Sequence, residues 1–307
     1  MKNPQISLLT TVYNRAAFLA ETMKSVQRSS FTDWELVVVD DCSADESVDI
    51  AQSFAVDDDR IKVYTNEKNL GDYMNRNRAA SFANGKYIKY LDADDILYPY
   101  SLQIMFEAME QFPNAGLGLS FHVVDDVQPF PQLVSSREAY RSFFLGRNIL
   151  RCGPSASIIR RALFEEIGGF SGRQYVGDTE LWLKLAAAAS VVKLQPALVW
   201  WRQHDGQQMA FEKADPNVLG TRHKIRMQFL ENAGNLLTQD ERHEARQREL
   251  RRHAHDIWRL ILRKRQLTAA VNLYRNSGLK LHNMARGLAG RPKKSKPKQS
   301  KGQPQLM

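Results

Sequence analysis

Three carboxylates fall within four residues at Asp92-Ala93-Asp94-Asp95. Such a cluster repels itself and costs stability unless a cation or hydrogen-bond donors compensate. Alternate carboxylates suit Mg2+ or Mn2+, hard cations that leave coordination positions open to phosphate oxygens. The competing reading is a solvated acidic turn, with Asp95 capping a helix before Ile96. The triplet alone does not choose between the two, because short motifs recur by chance.

The acids follow apolar runs that read as buried strands: Ile6 to Val12, Trp34 to Val39, Ile61 to Tyr64 and Tyr87 to Leu91. Between them, Ala16–Ser29, Ser47–Phe54 and Met74–Ala83 carry apolar residues at helical spacing. Strand and helix in alternation imply an α/β fold, a mostly parallel sheet with helices on both faces. Ligands of such sheets lie beyond the carboxyl ends of the strands. Those ends are the polar clusters Thr10–Asn14, Asp40–Ser43 and Asp92–Asp95. Further on, helices are expected over Pro99–Gln111 and Asp178–Ala189, and strands over Gly116–Val124 and Ala197–Trp201. From about Val218 helical patterns dominate. Leu250, Ala254, Ile257, Trp258 and Ile261 form one stripe, and Leu267, Val271 and Tyr274 a second. The expected division is a catalytic domain over 1–215, a basic helical extension over 216–290 and a disordered Lys-rich tail over 291–307.

Charge divides the chain the same way. Residues 1–220 hold 22 basic and 28 acidic side chains, residues 221–290 hold 15 and 6, and the last 17 residues hold 6 and none. The net charge of +9 therefore belongs to the rear of a 307-residue chain. That rear is suited to anionic lipid, nucleic acid or an acidic partner. Two cysteines, Cys42 and Cys152, exclude a disulfide framework. No apolar run approaches the ~20 residues that cross a bilayer, and no secretory pattern opens the sequence. The expected location is cytoplasmic, peripheral at the inner face of the cell membrane.

Several blocks, in order, resemble those of the inverting family 2 glycosyltransferases. They are Ile6–Arg15, Trp34–Ser43 with its Asp-Asp-x-Ser ending, Asn69-Leu70-Gly71 followed by Arg76-Asn77-Arg78, and Gly85–Asp95. Gly168-Gly169-Phe170 and Gly177–Leu183 follow on the acceptor side. The likeness spans roughly residues 5–210 and is closest to bacterial polysaccharide and lipopolysaccharide sugar transferases. It implies the GT-A nucleotide-diphospho-sugar transferase fold, a single sugar transfer from a nucleotide-sugar, most typically UDP-linked, and Mn2+ or Mg2+. The Gln-x-x-Arg-Trp signature of processive synthases is absent.

The resemblance also assigns roles. Thr11 and Tyr13 would contact the nucleoside, Asp41 the base N–H, and Arg76 the base or diphosphate. Asp92 would meet the ribose or a metal-bound water, and Asp94 the metal. Metal ligation would fall to Asp94, Asp92 and His204, with Arg202 neutralising the diphosphate. Asp178 would be the general base, deprotonating the acceptor hydroxyl as it attacks the anomeric carbon. Each has a plainer reading: Asp41 or Asp178 as a helix cap, Tyr13 as packing, Arg76 as a solvated helix face, His204 as a loop residue. Where the family often has Glu-Asp, this sequence has Gly177-Asp178, which leaves Asp178 the only base unless Glu180 substitutes. Asp205–Gln208 is read as a lid over the donor.

The acceptor is expected to be a glycan or lipid-linked, with anionic membrane touching the basic C-terminus. His253 and His255, on a basic helix, are expected to face solvent. No nucleic acid is expected, since the front is acidic and no binding module is visible. The alternatives are a nucleotidyltransferase of related architecture, whose Gly-rich phosphate loop is missing from Thr10–Arg15, and a degenerate sugar-nucleotide-binding scaffold.

Overall fold

The computed structural model describes residues 3–120, 128–204 and 215–288. The expected Asp205–Gln208 lid, the tail 291–307 and the end of the strand drawn over Gly116–Val124 lie outside them. The chain forms two compact units. The first comprises Met1–Ala139 and Ile149–Val218, the second Tyr140–Asn148 and Leu219–Met307.

The first unit is built on strands β1 (Ile6–Val12), β2 (Trp34–Asp40), β3 (Ile61–Thr65) and β4 (Tyr87–Tyr90), joined by helices α1 (Ala16–Gln27), α2 (Ser47–Asp57) and α3 (Asp72–Ser81). Its main sheet has eight strands in the order β3-β2-β1-β4-β8-β6-β9-β7. Here β6 is Ala115–Ser120, β7 Gln132–Val134, β8 Ser157–Arg160 and β9 Ser190–Leu194. The first four run parallel, as do β6 and β9, whereas β8 enters antiparallel between β4 and β6. The result is the mainly parallel α/β sheet expected of a GT-A fold. Ile6, Leu8 and Leu9 are fully buried, and so are Ser7 and Thr10, so β1 is covered on both faces as an inner strand of a parallel sheet is. Helix α1 buries Leu19, Met23 and Val26, at the spacing that faces a sheet. A two-stranded ribbon pairs β5 (Ile96–Leu97) antiparallel with β10 (Val199–Trp200). Helices α4 (Ser101–Gln111), α6 (Arg161–Glu166) and α7 (Gly177–Ala188) complete the order, and α5 (Ser136–Leu145) passes from this unit into the second after Ala139.

The second unit is helical: α8 (Asn217–Glu231), α9 (Gln239–Leu262), α10 (Leu267–Arg275) and α11 (Leu281–Leu288). Thr238 and Glu241 form a reciprocal capping box at the start of α9. Ala254, Ile257 and Leu260 pack with Ala270, Leu273 and Leu279. The second apolar stripe is corrected here: Leu267 and Val271 are exposed, and Ala270 and Leu273 make the buried face. His253 is also corrected. It is 2% exposed, stacked on His223 with ring centroids 4.1 Å apart. Burial and its neighbour His223 push its pKa down to about 4.

Candidate active site

Parallel pairing places the carboxyl ends of β1, β2 and β4 along one edge, and the polar residues after them share that edge. Tyr13 is exposed and Thr11 half-buried there. Asp41 is buried, and its carboxylate is engaged by three donors. Asn66 Nδ2 and the Leu70 N–H reach Oδ1 at 2.7 and 2.8 Å, and the Gly71 N–H reaches Oδ2 at 2.9 Å. Its visible work is to shape the loop entering α3. Gly71 sits there at φ 80°, ψ 161°, a conformation reserved for glycine. One lone-pair direction of Oδ2 is left for a ligand N–H.

Arg76 is also buried, not on a solvated face. Its Nε donates to Asp72 Oδ1 at 2.9 Å and its Nη2 to Asp92 Oδ1 at 2.8 Å. Its Nη1 is buried without a hydrogen-bond partner. Asp72 was not singled out in the sequence, although its position four residues before Arg76 is the spacing of a helical ion pair. Burial raises the Asp72 pKa against the pull of Arg76.

The acidic turn splits its carboxylates. Asp92 turns to Arg76. Asp94 Oδ2 lies 2.9 Å from His204 Nε2 and 3.3 Å from Arg15 Nε. Asp95 is buried. Its pKa is raised to about 7, first by burial and then by Asp92. The turn is held from β10 onward, where Arg202 Nε donates to the Asp94 carbonyl (2.8 Å) and the Arg202 N–H to Asp95 Oδ1 (3.2 Å). The Arg202 guanidinium lies over the rings of Phe18 and Trp200, and Phe18 also meets His204 at 4.5 Å between centroids. Phe18, on α1, is part of this wall.

A carboxylate oxygen and an imidazole nitrogen 2.9 Å apart are two donors suited to a divalent cation. Among the described residues, no three His, Cys, Asp or Glu side chains form a cation-holding group. Asp94 and His204 therefore fit as a partial set that substrate oxygens complete, with Asp92 committed to Arg76.

Asp178 is half-buried in the first turn of α7, where a helix N-terminus favours an anion. Val176 occupies the cap position, so Asp178 is not the cap. The Thr179 N–H donates to Asp178 Oδ1 at 2.6 Å. The buried Tyr73 lies against the start of this helix, and its hydroxyl pKa is raised, first by burial and then by the charges of Asp178 and Asp72. Tyr73 thus stands between the helix bearing Asp178 and the Arg76 network. It also explains Gly177: a Cβ there would lie 2.8 Å from two Tyr73 ring carbons. Glu180 is buried and accepts from Ser171 Oγ at 2.5 Å, with Arg173 and Lys184 each 3.7 Å away. Of the two acids in the first turn, Asp178 is the more accessible.

Comparison with known proteins gives a consistent picture. The family described as Glycosyl transferase family 2 matches residues 7–168. A Bacillus subtilis (strain 168) protein assigned to teichuronic acid biosynthesis as glycosyltransferase TuaG is 40% identical over 140 residues, 44% of this chain and 54% of its own. This chain thus spans about half of that relative's length. A Campylobacter jejuni GalNAc(5)-diNAcBac-PP-undecaprenol beta-1,3-glucosyltransferase is 33% identical over 105 residues, 34% of each chain. Among solved structures, S. aureus TarS 1-349 in complex with UDP-GlcNAc aligns with a TM-score of 0.64 at 20% identity, covering 93% of this chain and 79% of that one. The Pyrobaculum calidifontis mannosyltransferase PcManGT, in complex with GDP-Man and Mn2+, aligns with a TM-score of 0.59 at 15% identity, covering 94% and 84%.

Proposed function

The chain belongs to glycosyl transferase family 2, and from that premise we propose that it moves one sugar from a nucleoside-diphosphate donor to a hydroxyl of a cell-envelope glycan or lipid-linked acceptor, with inversion. The observation that carries the reading is Tyr73, which packs against Gly177 beside Asp178 and shares its own helix with Asp72 and Arg76, whose ion pairs reach Asp92 at the carboxyl edge of the sheet. It brings an accessible carboxylate beside a set of groups suited to a nucleotide.

Tyr13 offers an exposed ring to the base, Asp41 its remaining lone pair to the base N–H, and Arg76 Nη1 an uncommitted buried donor. Thr11 and Asp92 face the nucleoside. Asp94 and His204 would hold a divalent cation, Mn2+ or Mg2+, which when bound neutralises charge on the departing diphosphate. Arg15 and Arg202 add positive charge on the same side. Asp178 takes the acceptor proton as the new C–O bond forms on the anomeric face opposite the leaving group. The diphosphate oxygen departs with the bonding pair, and no covalent enzyme intermediate is needed.

A UDP-linked donor is favoured by the UDP-GlcNAc complex of the TarS relative. A divalent cation is favoured by the Mn2+ complex of the archaeal one. A lipid-linked acceptor agrees with the undecaprenol-linked substrate named for the Campylobacter relative. Contact with anionic membrane through the basic C-terminal region agrees with its charge. No described helix is long and apolar enough to cross a membrane. The test is thermal shift with UDP, GDP, CDP and dTDP, each with Mn2+ and with EDTA. A metal-dependent rise with UDP supports the reading, since binding to the folded state raises Tm by mass action. No rise with any nucleotide contradicts it.

A further inference from the structure

Lys89 lies in β4, opposite Leu8 of β1, and is fully buried. Among the described residues it has no carboxylate within ion-pair distance. An ammonium so placed is costly against an apolar side chain of similar volume. Burial lowers its pKa to about 7, against the opposing pull of Asp92 and Asp95. Its Nζ donates to two carbonyls, that of Tyr90 at 2.6 Å and that of Ser155.

Ser155 sits in the 3-10 turn Pro154–Ala156. Its Oγ accepts from the Asp92 N–H at 2.9 Å. Three residues earlier, the Cys152 carbonyl accepts from Trp182 Nε1 at 2.9 Å. Trp182 is buried one turn along the helix whose first turn carries Asp178. Residues 152–155 therefore form a strap, tied at one end to the acidic turn and at the other to the helix of the proposed base. Lys89 pins that strap to the sheet.

We infer that Lys89 is a positioning residue, whose Nζ fixes the distance between the donor-side carboxylates and Asp178 through the 152–155 strap. This rests on the site reading above. It accounts for a buried amine that touches none of the proposed ligands, where Met or Leu would pack at lower cost.

The experiment is Lys89→Met, with Trp182→Phe as a second variant that loosens the other end of the strap. Three readouts are taken: the affinity for UDP with Mn2+, the transfer or donor-hydrolysis rate, and hydrogen exchange of the strap. The expected result is a kcat lower by about tenfold or more, since a misplacement near 1 Å costs up to ~100-fold. UDP affinity should change by less than about threefold, the scale of contacts left intact. The double variant should fall short of the product of the two single effects, because both act through one element. Exchange at residues 152–156 and at the Asp92 N–H should quicken while β1 and β2 stay protected. Unchanged kcat, or strictly multiplicative losses, would overturn the inference, as would exchange unaltered in the strap. If Lys89→Met does not fold, Trp182→Phe alone must show the loss in kcat at constant UDP affinity, or the inference fails. If the native protein binds no nucleotide, the site reading fails first. The exchange pattern then still reports whether Lys89 pins the strap.

Discussion

Replacing Arg76 with Met tests whether the buried network is a prepared site or a surface ornament. The side chain is 7% exposed and holds two charge-assisted bonds, to Asp72 at 2.9 Å and Asp92 at 2.8 Å. Removing one partner of a buried ionic group leaves the others uncompensated, at a cost of about 3–5 kcal/mol. For a domain of this size, 1 kcal/mol moves Tm by about 2–4 °C, so a fall of about 6–20 °C is expected at pH 8. The deficit has a sign in pH. Burial already raises the Asp72 pKa, and Asp92 pushes it the same way. Without Arg76 it rises further, so the folded variant binds a proton that the unfolded chain has released. Stability then falls as pH increases through that window, and is recovered as pH drops and one carboxyl is protonated. Thermal melts of both proteins at pH 5, 6.5 and 8 measure this directly. A loss below about 1 kcal/mol, or a loss equal at pH 5 and pH 8, would refute the reasoning.

Gly177→Ala should lower Tm by several degrees and reduce kcat. The new methyl would lie 2.8 Å from Tyr73 ring carbons, and overpacking of this kind costs about 1–3 kcal/mol; unaltered melting and turnover would contradict the packing argument. His204→Ala should raise the Mn2+ concentration needed for half-maximal UDP binding by about tenfold or more, whereas equal titrations would remove His204 from the cation site. His253→Phe should flatten acid lability. The folded pKa near 4 lies below that of an unfolded histidine, ~6.5. The unfolded chain therefore binds more protons between those values, and native stability rises with pH there and levels off above. Stability curves of both proteins from pH 4.5 to 7.5 check the slope, and parallel curves would sink the assignment.

The sheet's left half was legible because strands buried on both faces, such as Leu36–Val39, read as unbroken apolar runs. Strand β8 was not legible. Its four residues reach their place between β4 and β6 only through pairing remote in sequence, and nothing local marks an antiparallel insertion. Nor does any local signal assign Tyr140–Asn148 to the second unit. Within the site, carboxylates announce themselves by type, but their partners do not. Asp41 stands out as an acid after a strand, but nothing local shows that its carboxylate also holds the loop at Leu70 and Gly71. Nothing local in Tyr87-Ile88-Lys89-Tyr90 marks Lys89 as a buried amine. Its burial depends on a carbonyl 66 positions away. His253 was misread because its helix is basic in composition, whereas burial is set by which face meets α10, α11 and His223.

The central claim is that Asp178 takes the acceptor proton, and the decisive measurement pairs two assays on Asp178→Asn. One is UDP-sugar affinity with Mn2+ by calorimetry; the other is release of UDP in the presence of acceptor. Donor affinity should stay within about threefold of the native protein while turnover falls by ~100-fold or more, the scale of general-base catalysis. Turnover within a few-fold of the native rate would contradict that claim. So would a loss of turnover fully explained by lost donor binding, which would move Asp178 from the chemistry to the binding of the nucleotide-sugar.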